Sequence, residues 1–250
     1  MQLVTTILNV YKRPEYLHTQ YNAIEQQTVD SDIWIDYTVP AGQQMFDLSD
    51  IAPTAKTTIR TNQNLYHIGR FFYALNAPTE YVFICDDDII PGKNYLQHCI
   101  DTIDKVGDCI VTSYGLRLDS TVEKYQSTGI YGWRNLPSAL NEPTEVDMGG
   151  HSWFLKKKNL NLITREEPIN YTNGEDLHFS YLINKYSDLP LIVPTINKDD
   201  PDNWSCDFNQ GMNMGNDKHA TFKNKDHNSI RDQIVKHQLN NGWKLYSDRK

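Results

Sequence analysis

The chain has 250 residues and a formal net charge of −8, from 24 lysines and arginines against 32 aspartates and glutamates. Hydrophobic residues make up 39% and charged residues 22%, a balance typical of a globular protein and not of a disordered or fibrous one. No apolar run reaches the roughly 18 residues of a membrane span, and the first residues lack the pattern of a signal peptide, so we expect a cytoplasmic protein without a transmembrane segment.

The first half of the chain alternates between strand patterns and helix patterns. Apolar or β-branched runs predict strands at residues 3–10, 33–37, 57–60, 81–85 and 109–114. Apolar residues at helical spacing predict helices containing Leu17, Tyr21 and Ile24, then Ile68, Phe71, Phe72 and Leu75, then Leu96, Cys99, Ile100 and Ile103. This alternation predicts an α/β fold in which helices cover parallel strands.

The second half of the chain is less regular. Residues 115–145 are rich in turn residues and aromatics, while residues 175–187 have the spacing of a helix. Residues 197–228 show almost no periodicity, which is typical of a lid or of a disordered segment. A last helix is predicted from Ser229 to Leu239. Because no repeat and no linker interrupts the chain, we expect one domain over residues 1–250.

Charge is unevenly distributed. Residues 217–250 contain eight lysines and arginines and four aspartates, a net charge of +4, which leaves −12 for residues 1–216. This balance argues against non-specific binding of nucleic acid and leaves open a site that handles phosphates through a metal ion. The four cysteines have no paired metal-ligand spacing, so we interpret them as reduced apolar residues.

Three aspartates, Asp86, Asp87 and Asp88, follow directly on the most apolar predicted strand. In open α/β sheets, ligands bind beyond the carboxyl ends of the strands. Adjacent carboxylates repel one another, and Mg²⁺ or Mn²⁺ removes that repulsion while keeping coordination positions for substrate phosphates. A solvated acidic turn or a helix cap would also explain the run, so the residues alone leave both interpretations open.

Glu175 and Asp176 begin the predicted helix over residues 175–187. Acidic residues in a first helical turn are favoured by the helix dipole and by the free backbone N–H groups. The same carboxylates, if ionised and close to a sugar hydroxyl, would serve as a general base. Both interpretations stay open from the spacing.

Gly149 and Gly150 precede His151 and Trp153. Two adjacent glycines allow close backbone approach or a positive φ, and the histidine and tryptophan would then meet a ligand. A buried bulge would have the same sequence pattern. Trp204 likewise has two interpretations, since it would stack on an acceptor sugar or attach its loop to the core.

These motifs, in this order, resemble GT-A glycosyltransferases of the family 2-like and exostosin-like kind. The resemblance begins at Ile7-Leu8-Asn9-Val10-Tyr11-Lys12-Arg13-Pro14-Glu15-Tyr16-Leu17 and continues through Asn62-Gln63-Asn64-Leu65-Tyr66-His67-Ile68-Gly69-Arg70. It then takes in the aspartate run, the paired glycines and the Glu175-Asp176 pair, and so covers roughly residues 3–187. It implies a GT-A (Rossmann-like) fold, with a mostly parallel central sheet flanked by helices and a flexible C-terminal lid segment.

The resemblance also implies a division of the single domain. Residues 1–115 would form the nucleotide-sugar-binding half, residues 116–196 the acceptor-binding half, and residues 197–250 the lid and the C-terminal helix. Lysines of the basic tail, Lys218, Lys223 and Lys225, would close over a diphosphate or would simply be solvated.

The resemblance further implies a role for each candidate residue. Nucleotide-sugar binding would involve Asn9, Tyr11, Arg13, Asn64, Arg70, Asp86 and Asp87. The metal, Mn²⁺ or Mg²⁺, would be held by Asp88 and Asp86 of the Asp-x-Asp motif and by His219, with His227 as the alternative histidine. The catalytic carboxylates would be Asp176, as the base, and Glu175. The donor or acceptor sugar would contact Gly149, Gly150, His151, Trp153 and Trp204.

We therefore predict a metal-dependent hexosyl- or pentosyltransferase that acts in glycan synthesis. It would move a sugar from a nucleotide diphosphate sugar, with a UDP-sugar favoured, to a hydroxyl of a carbohydrate acceptor with inversion. Two alternatives are glycosylation of a modified base in viral DNA and a catalytically inactive nucleotide-sugar-binding module. A nucleotidyltransferase is disfavoured because residues 8–20 contain no glycine.

Overall fold

A computed structural model describes residues 3–39, 42, 47–61, 64–132 and 139–249, with the side chains of residues 57–61 and Phe208 left out. Asn62 and Gln63, which belong to the second predicted motif, lie outside the described residues. Each helix in the described part of the chain is too short or too polar to cross a membrane.

The strands and helices predicted for the first half of the chain all form. The elements are β1 (Val4–Val10), α1 (Leu17–Glu25), β2 (Ser31–Thr38), β3 (Thr57–Thr61), α2 (Gly69–Ala74), β4 (Tyr81–Cys85), α3 (Tyr95–Val106) and β5 (Ile110–Leu118). Strands β1 and β4 are almost entirely buried, as their uninterrupted apolar sequence predicts for strands covered on both faces.

The described residues of the second half form further strands and three α-helices. The elements are β6 (Ser127–Gly132), β7 (Thr144–Val146), β8 (Met148–Lys156), α4 (Glu175–Tyr186), β9 (Leu191–Val193), α5 (Phe208–Gly215) and α6 (His227–Asn240). Helix α5 lies inside residues 197–228, the segment without periodicity, because its asparagines and glycines interrupt the apolar spacing that indicates a helix. Its N-terminus is marked by Asp207, whose side chain accepts a hydrogen bond from the Gln210 N–H.

The strands form one sheet in the order β3-β2-β1-β4-β8-β5-β9-β7, with β6 paired to β5. The first four strands of this order are parallel. Strand β8 is antiparallel to both of its neighbours, β4 and β5, and β7 is antiparallel to β9. The α/β fold with a central sheet flanked by helices is thus confirmed, and the second half of the sheet is mixed.

Trp153 lies in the core, and its predicted contact with a sugar is wrong. The side chain is fully buried and its ring lies 5.8 Å from that of Phe71 on α2 and 5.2 Å from that of Phe179 on α4. The three aromatic rings attach both helices to β8. Burial of rings of this size makes Trp153 a packing residue and not a ligand contact.

Candidate active site

A cavity of about 800 Å³ opens beyond the carboxyl ends of β1 and β4. Four residues predicted to bind the nucleotide line one part of its wall, namely Asn9, Tyr11, Arg13 and Asn64. All three residues of the aspartate run line it as well. The cavity therefore lies where parallel α/β sheets bind their ligands.

Asp86, Asp88 and His151 form a cluster within this cavity. Each offers one ligand atom, and the three atoms all lie within 4.8 Å of one another. His151 Nδ1 is 3.3 Å from Asp86 Oδ2, and the Asp86 N–H donates to the His151 carbonyl oxygen at 2.8 Å. Two carboxylates and an imidazole are a donor set that fits a divalent cation.

His151 reaches this cluster because of a β-bulge. In the pairing of β8 with β5, Trp153 pairs with Thr112, and the next pair is Gly150 with Tyr114. Between these two pairs, β8 contains His151 and Ser152 while β5 contains only Ser113, so β8 has one extra residue. His151 has a φ of 64°, an uncommon backbone conformation for a residue with a side chain. Bulges and strained residues of this kind often redirect a side chain toward a site.

His219 was predicted to ligate the metal, and the described cluster contains His151 in its place. His219 lines the cavity, but its backbone N–H donates to Asp217 Oδ1 at 2.8 Å and its ring is not part of the cluster. The alternative, His227, has its Nδ1 3.2 Å from the side-chain nitrogen of Asn173. Because β8 pairs with β4, it brings its own histidine beside the aspartates.

Arg70, which was predicted to lie near the nucleotide or its phosphates, lies behind the cavity wall. Its side chain is 2% exposed, with Nη1 paired to Asp86 and Nη2 3.3 Å from Glu175 Oε1. Burial by itself would raise the pKa of Asp86, but the charge of Arg70 and the hydrogen bond from His151 outweigh it and hold that pKa far below its ordinary value. Arg70 therefore keeps Asp86 ionised.

Arg13 connects the aspartate run to the segment after α5. Its Nη1 donates to Asp87 Oδ1 at 2.8 Å, and its Nη2 and Nε donate to the two oxygens of Asp217 at 2.9 and 3.2 Å. Burial raises the pKa of Asp87 to about 7, with Arg13 opposing and the neighbouring aspartates adding to the effect. Asp217, which has no distinguishing sequence context, was missed by sequence reasoning.

Helix α5 ends against the aspartate run. A Cβ atom built on Gly215, its last residue, would collide with Asp88 Oδ2, so a side chain at this position would displace the Asp88 carboxylate. Lys218, just beyond, also lines the cavity. The segment predicted to be a lid thus contains a helix that covers the metal-ligand cluster.

The carboxylate of Asp176 lies on another part of the same cavity wall. Arg231 of α6 donates to it with both terminal nitrogens, Nη1 to Oδ1 at 3.0 Å and Nη2 to Oδ2 at 2.8 Å. Burial would raise the pKa of Asp176, but the charge and hydrogen bonds of Arg231 outweigh it and lower that pKa. Glu175 lines the cavity as well and is paired with Arg70.

Arg231 was missed by sequence reasoning, although a signal was present. Arg231, Ile234, Val235 and Gln238 are buried at positions i, i+3, i+4 and i+7 of α6. An arginine on the apolar stripe of a helix is buried only with a partner. That spacing indicates a buried ion pair, but it does not identify Asp176 as the partner.

The remaining predicted sugar contacts divide between the cavity wall and the interior. Gly150 and His151 line the cavity. Gly149 does not, because it packs against Thr112, whose Oγ1 would be 2.8 Å from a Cβ atom built on the glycine.

Trp204, which was predicted to contact the acceptor sugar, does not line the large cavity. Its indole N–H donates to the Asn197 carbonyl at 2.7 Å, and its own carbonyl accepts from the Gly92 N–H at 2.9 Å. It contributes to a separate small pocket near the start of α3. The tryptophan therefore attaches the loop after β9 to the core, which was the second interpretation of its sequence context.

Comparison with solved structures identifies the fold. Over 96% of its length the chain matches a crystal structure of S. aureus TarS 1-349, with a TM-score of 0.54, 13% sequence identity and coverage of 71% of that chain. A second crystal structure of S. aureus TarS matches with a TM-score of 0.52 and 12% identity, and the chain spans 43% of its length. TarS is a family 2-like glycosyltransferase with the GT-A fold.

Comparison of the amino-acid sequence with known families and curated proteins finds no match. No family model matches the chain, and no curated protein matches it significantly. The likeness of structure at low identity shows that the chain has the GT-A glycosyltransferase fold, as the sequence motifs predicted.

Proposed function

We propose that this protein is a metal-dependent glycosyltransferase that moves a sugar from a nucleotide diphosphate sugar to a hydroxyl group of an acceptor. One observation carries the proposal. A single cavity at the carboxyl ends of the parallel strands contains the Asp86, Asp88 and His151 cluster together with the carboxylate of Asp176. Metal ligands and a partly buried carboxylate base in one cavity are the parts that this reaction needs.

The donor occupies the part of the cavity next to β1. Asn9, Tyr11 and Arg13 follow or end that strand and line the wall with Asn64, which supports a base and ribose pocket, with UDP as the favoured nucleotide. Asp86, Asp88 and His151 would hold Mn²⁺ or Mg²⁺, and the imidazole favours Mn²⁺. When bound, the ion supplies positive charge that stabilises the diphosphate as it leaves.

Asp176 acts on the acceptor. Its carboxylate accepts the proton of the acceptor hydroxyl while the acceptor oxygen forms a bond to the anomeric carbon of the donor. The bond between that carbon and the phosphate oxygen breaks, and its electron pair leaves with the nucleoside diphosphate. Attack from the face opposite the leaving group inverts the anomeric configuration.

The lid segment excludes water from the donor. Helix α5 and the residues after it cover the aspartate run, and Lys218 lines the cavity beside them. A cation at this place attracts the diphosphate, and closure limits hydrolysis of the donor. The acceptor that we favour is a carbohydrate in glycan synthesis, because the charge of −12 over residues 1–216 opposes a DNA duplex.

The first experiment measures donor binding and donor hydrolysis with a panel of UDP- and GDP-sugars in the presence of Mn²⁺. We expect binding of at least one donor, a loss of hydrolysis in Asp88→Asn of tenfold or more, and no change in Asp30→Asn, an exposed control. Binding of no nucleotide-sugar, together with a metal affinity that Asp88→Asn leaves unchanged, would refute the proposal.

The second experiment examines the acceptor step. With an acceptor found in a hydroxyl-compound panel, Asp176→Asn should keep donor binding and lose transfer. The anomeric configuration of the product, read by NMR, should be the inverse of the donor's. A retained configuration would show that Asp176 is not the base.

A further inference from the structure

We propose that Arg231 is the positioning residue for Asp176, and that it leaves Asp176 Oδ2 as the atom that accepts the acceptor's proton. This inference rests on the proposed function. It concerns how one carboxylate oxygen is made available, and it follows from the hydrogen bonds, the space and the charges around Asp176.

The hydrogen bonds differ between the two oxygens of Asp176. Oδ1 accepts from Arg231 Nη1 at 3.0 Å and from the Leu177 N–H at 2.8 Å. Among the residues that the structure describes, Oδ2 accepts only from Arg231 Nη2, at 2.8 Å. A carboxylate oxygen offers about two acceptor positions. Oδ1 is therefore fully used, while Oδ2 keeps one position for an incoming hydroxyl.

The space in front of Oδ2 comes from Gly150. A Cβ atom built on this glycine would lie 3.8 Å from Asp176 Oδ2 and 3.5 Å from Tyr114 Cδ1. Gly150 and Tyr114 both line the cavity. The missing side chain thus leaves a path from the cavity to the oxygen that keeps an open acceptor position.

Arg231 is itself held in one orientation. Its side chain is 6% exposed, and its guanidinium carbon lies 4.2 Å from the centroid of the Tyr125 ring. Nη1 lies 3.4 Å from Asn173 Oδ1, and Nη2 lies 3.2 Å from Met148 Sδ. A planar guanidinium with two parallel bonds fixes the plane of a carboxylate, which the single ammonium of a lysine cannot do.

The charges that face Asp176 come from three elements. Arg231 approaches from α6, Asp86 from the end of β4, and Glu175 precedes it on α4. Burial and the negative charge of Asp86 both favour the protonated carboxyl, and Arg231 opposes them. Without Arg231 the pKa of Asp176 rises, so the base is lost at a higher pH.

The test compares Arg231→Lys and Arg231→Gln with Arg165→Lys, an exposed control that makes the same replacement. Each is assayed for kcat and acceptor KM of transfer over a range of pH, and for donor binding with Mn²⁺. We expect Arg231→Lys to lower kcat about 10- to 100-fold, as for a misplacement of about 1 Å, with little change in acceptor KM. Arg231→Gln should lower it further, and the acid limb of both profiles should move to higher pH.

The outcomes separate this inference from the proposed function. If the wild type transfers sugar and Arg231→Lys has the same kcat and pH profile, Arg231 does not position the base and the proposed function stands. If the wild type binds no nucleotide-sugar with Mn²⁺, the proposed function itself fails.

A second variant covers the case in which Arg231 variants do not fold, as their loss of donor binding would reveal. Tyr125→Leu keeps both charges and removes the ring against the guanidinium. We expect it to lower kcat several-fold, because the guanidinium loses the ring that orients it, and to leave the acid limb close to that of the wild type. An unchanged kcat in this variant would overturn the inference.

Discussion

Replacement of Gly150 by alanine tests whether the acceptor uses the space beside Asp176. The alanine Cβ would lie 3.5 Å from Tyr114 Cδ1, 3.8 Å from Asp176 Oδ2 and 3.9 Å from Met148 Cε, which are ordinary van der Waals distances. Because the methyl group fits, and because alanine loses less chain entropy than glycine on folding, we expect the free energy of unfolding to change by less than about 1 kcal/mol.

The same methyl group is expected to disturb the acceptor. A hydroxyl bound to Asp176 Oδ2 needs an oxygen–oxygen distance of roughly 2.5–3.0 Å, while a carbon atom keeps its non-bonded neighbours at about 3.5–4.0 Å. An acceptor oxygen that approaches Oδ2 from the side of Gly150 would therefore collide with the added carbon, which lies 3.8 Å from Oδ2 on that side. A displacement of about 1 Å costs on the order of 100-fold in rate, so we expect kcat of transfer in Gly150→Ala to fall about 10- to 100-fold.

Gly149→Ala is the matched control. Its Cβ would lie 2.8, 2.9 and 3.0 Å from three side-chain atoms of Thr112, and overpacking of this kind costs about 1–3 kcal/mol. For a domain of this size each kcal/mol lowers Tm by roughly 2–4 °C. We therefore expect Gly149→Ala to lose stability and Gly150→Ala to lose transfer.

Thermal unfolding and transfer kinetics on both variants decide the matter. Donor binding with Mn²⁺ should stay near the wild-type value in Gly150→Ala, since the methyl group lies on the side of the cavity next to Asp176. The reasoning is refuted if Gly150→Ala transfers sugar at the wild-type rate, or if the two variants lose transfer in proportion to their loss of stability.

Three further predictions address the metal, the lid and the core. Asp88→Asn should weaken Mn²⁺ binding about 10-fold or more in calorimetric titration, because it removes one clustered ligand. His219→Gln should leave the Mn²⁺ affinity unchanged. If both variants lost the same affinity, the assignment of the metal to the Asp86, Asp88 and His151 cluster would be contradicted. Asp217→Asn should raise donor KM up to about fivefold, because it removes one of the two carboxylates that Arg13 connects and a partly exposed ion pair is worth up to about 1 kcal/mol. An unchanged donor KM would argue against a role of Asp217 in closure of the lid. Burial lowers the pKa of His178 below 6.5, so the unfolded chain takes up a proton first and stability is lost as the pH falls below about 6.5. Urea unfolding should show this loss, and His178→Gln should reduce it.

Local patterns were sufficient for the fold and for the elements that carry the two acidic segments of the candidate site. The apolar run that becomes β4 ends directly at Asp86, so the position of the aspartates at the edge of the sheet follows from a strand boundary. The start of α4 at Glu175 was predicted from the spacing of its apolar face. In both cases the functional side chain and the element that carries it are neighbours in sequence.

The rest of the site depends on pairing between distant segments. Strict alternation along β8 would put His151 and Trp153 on the same face, and the bulge separates them into a site residue and a core residue. The paired glycines left a bulge open as one interpretation, but they do not indicate which side chain it redirects. Arg231 and Asp217 were missed for a related reason, since their partners Asp176 and Arg13 lie in other elements.

The antiparallel pairing of β4 with β8 also bears on the order in which the chain folds. It aligns Cys85 with Ser152, and pairing between such distant residues forms slowly because a long loop must close first. Asp86 and His151 adjoin this pair, so the three clustered ligands meet only after the two halves of the sheet have joined. A divalent ion held there binds the native state alone and would add about 2.7 kcal/mol to the free energy of unfolding at 100 times its Kd. Metal-dependent stability would then report that the two halves of the sheet have joined.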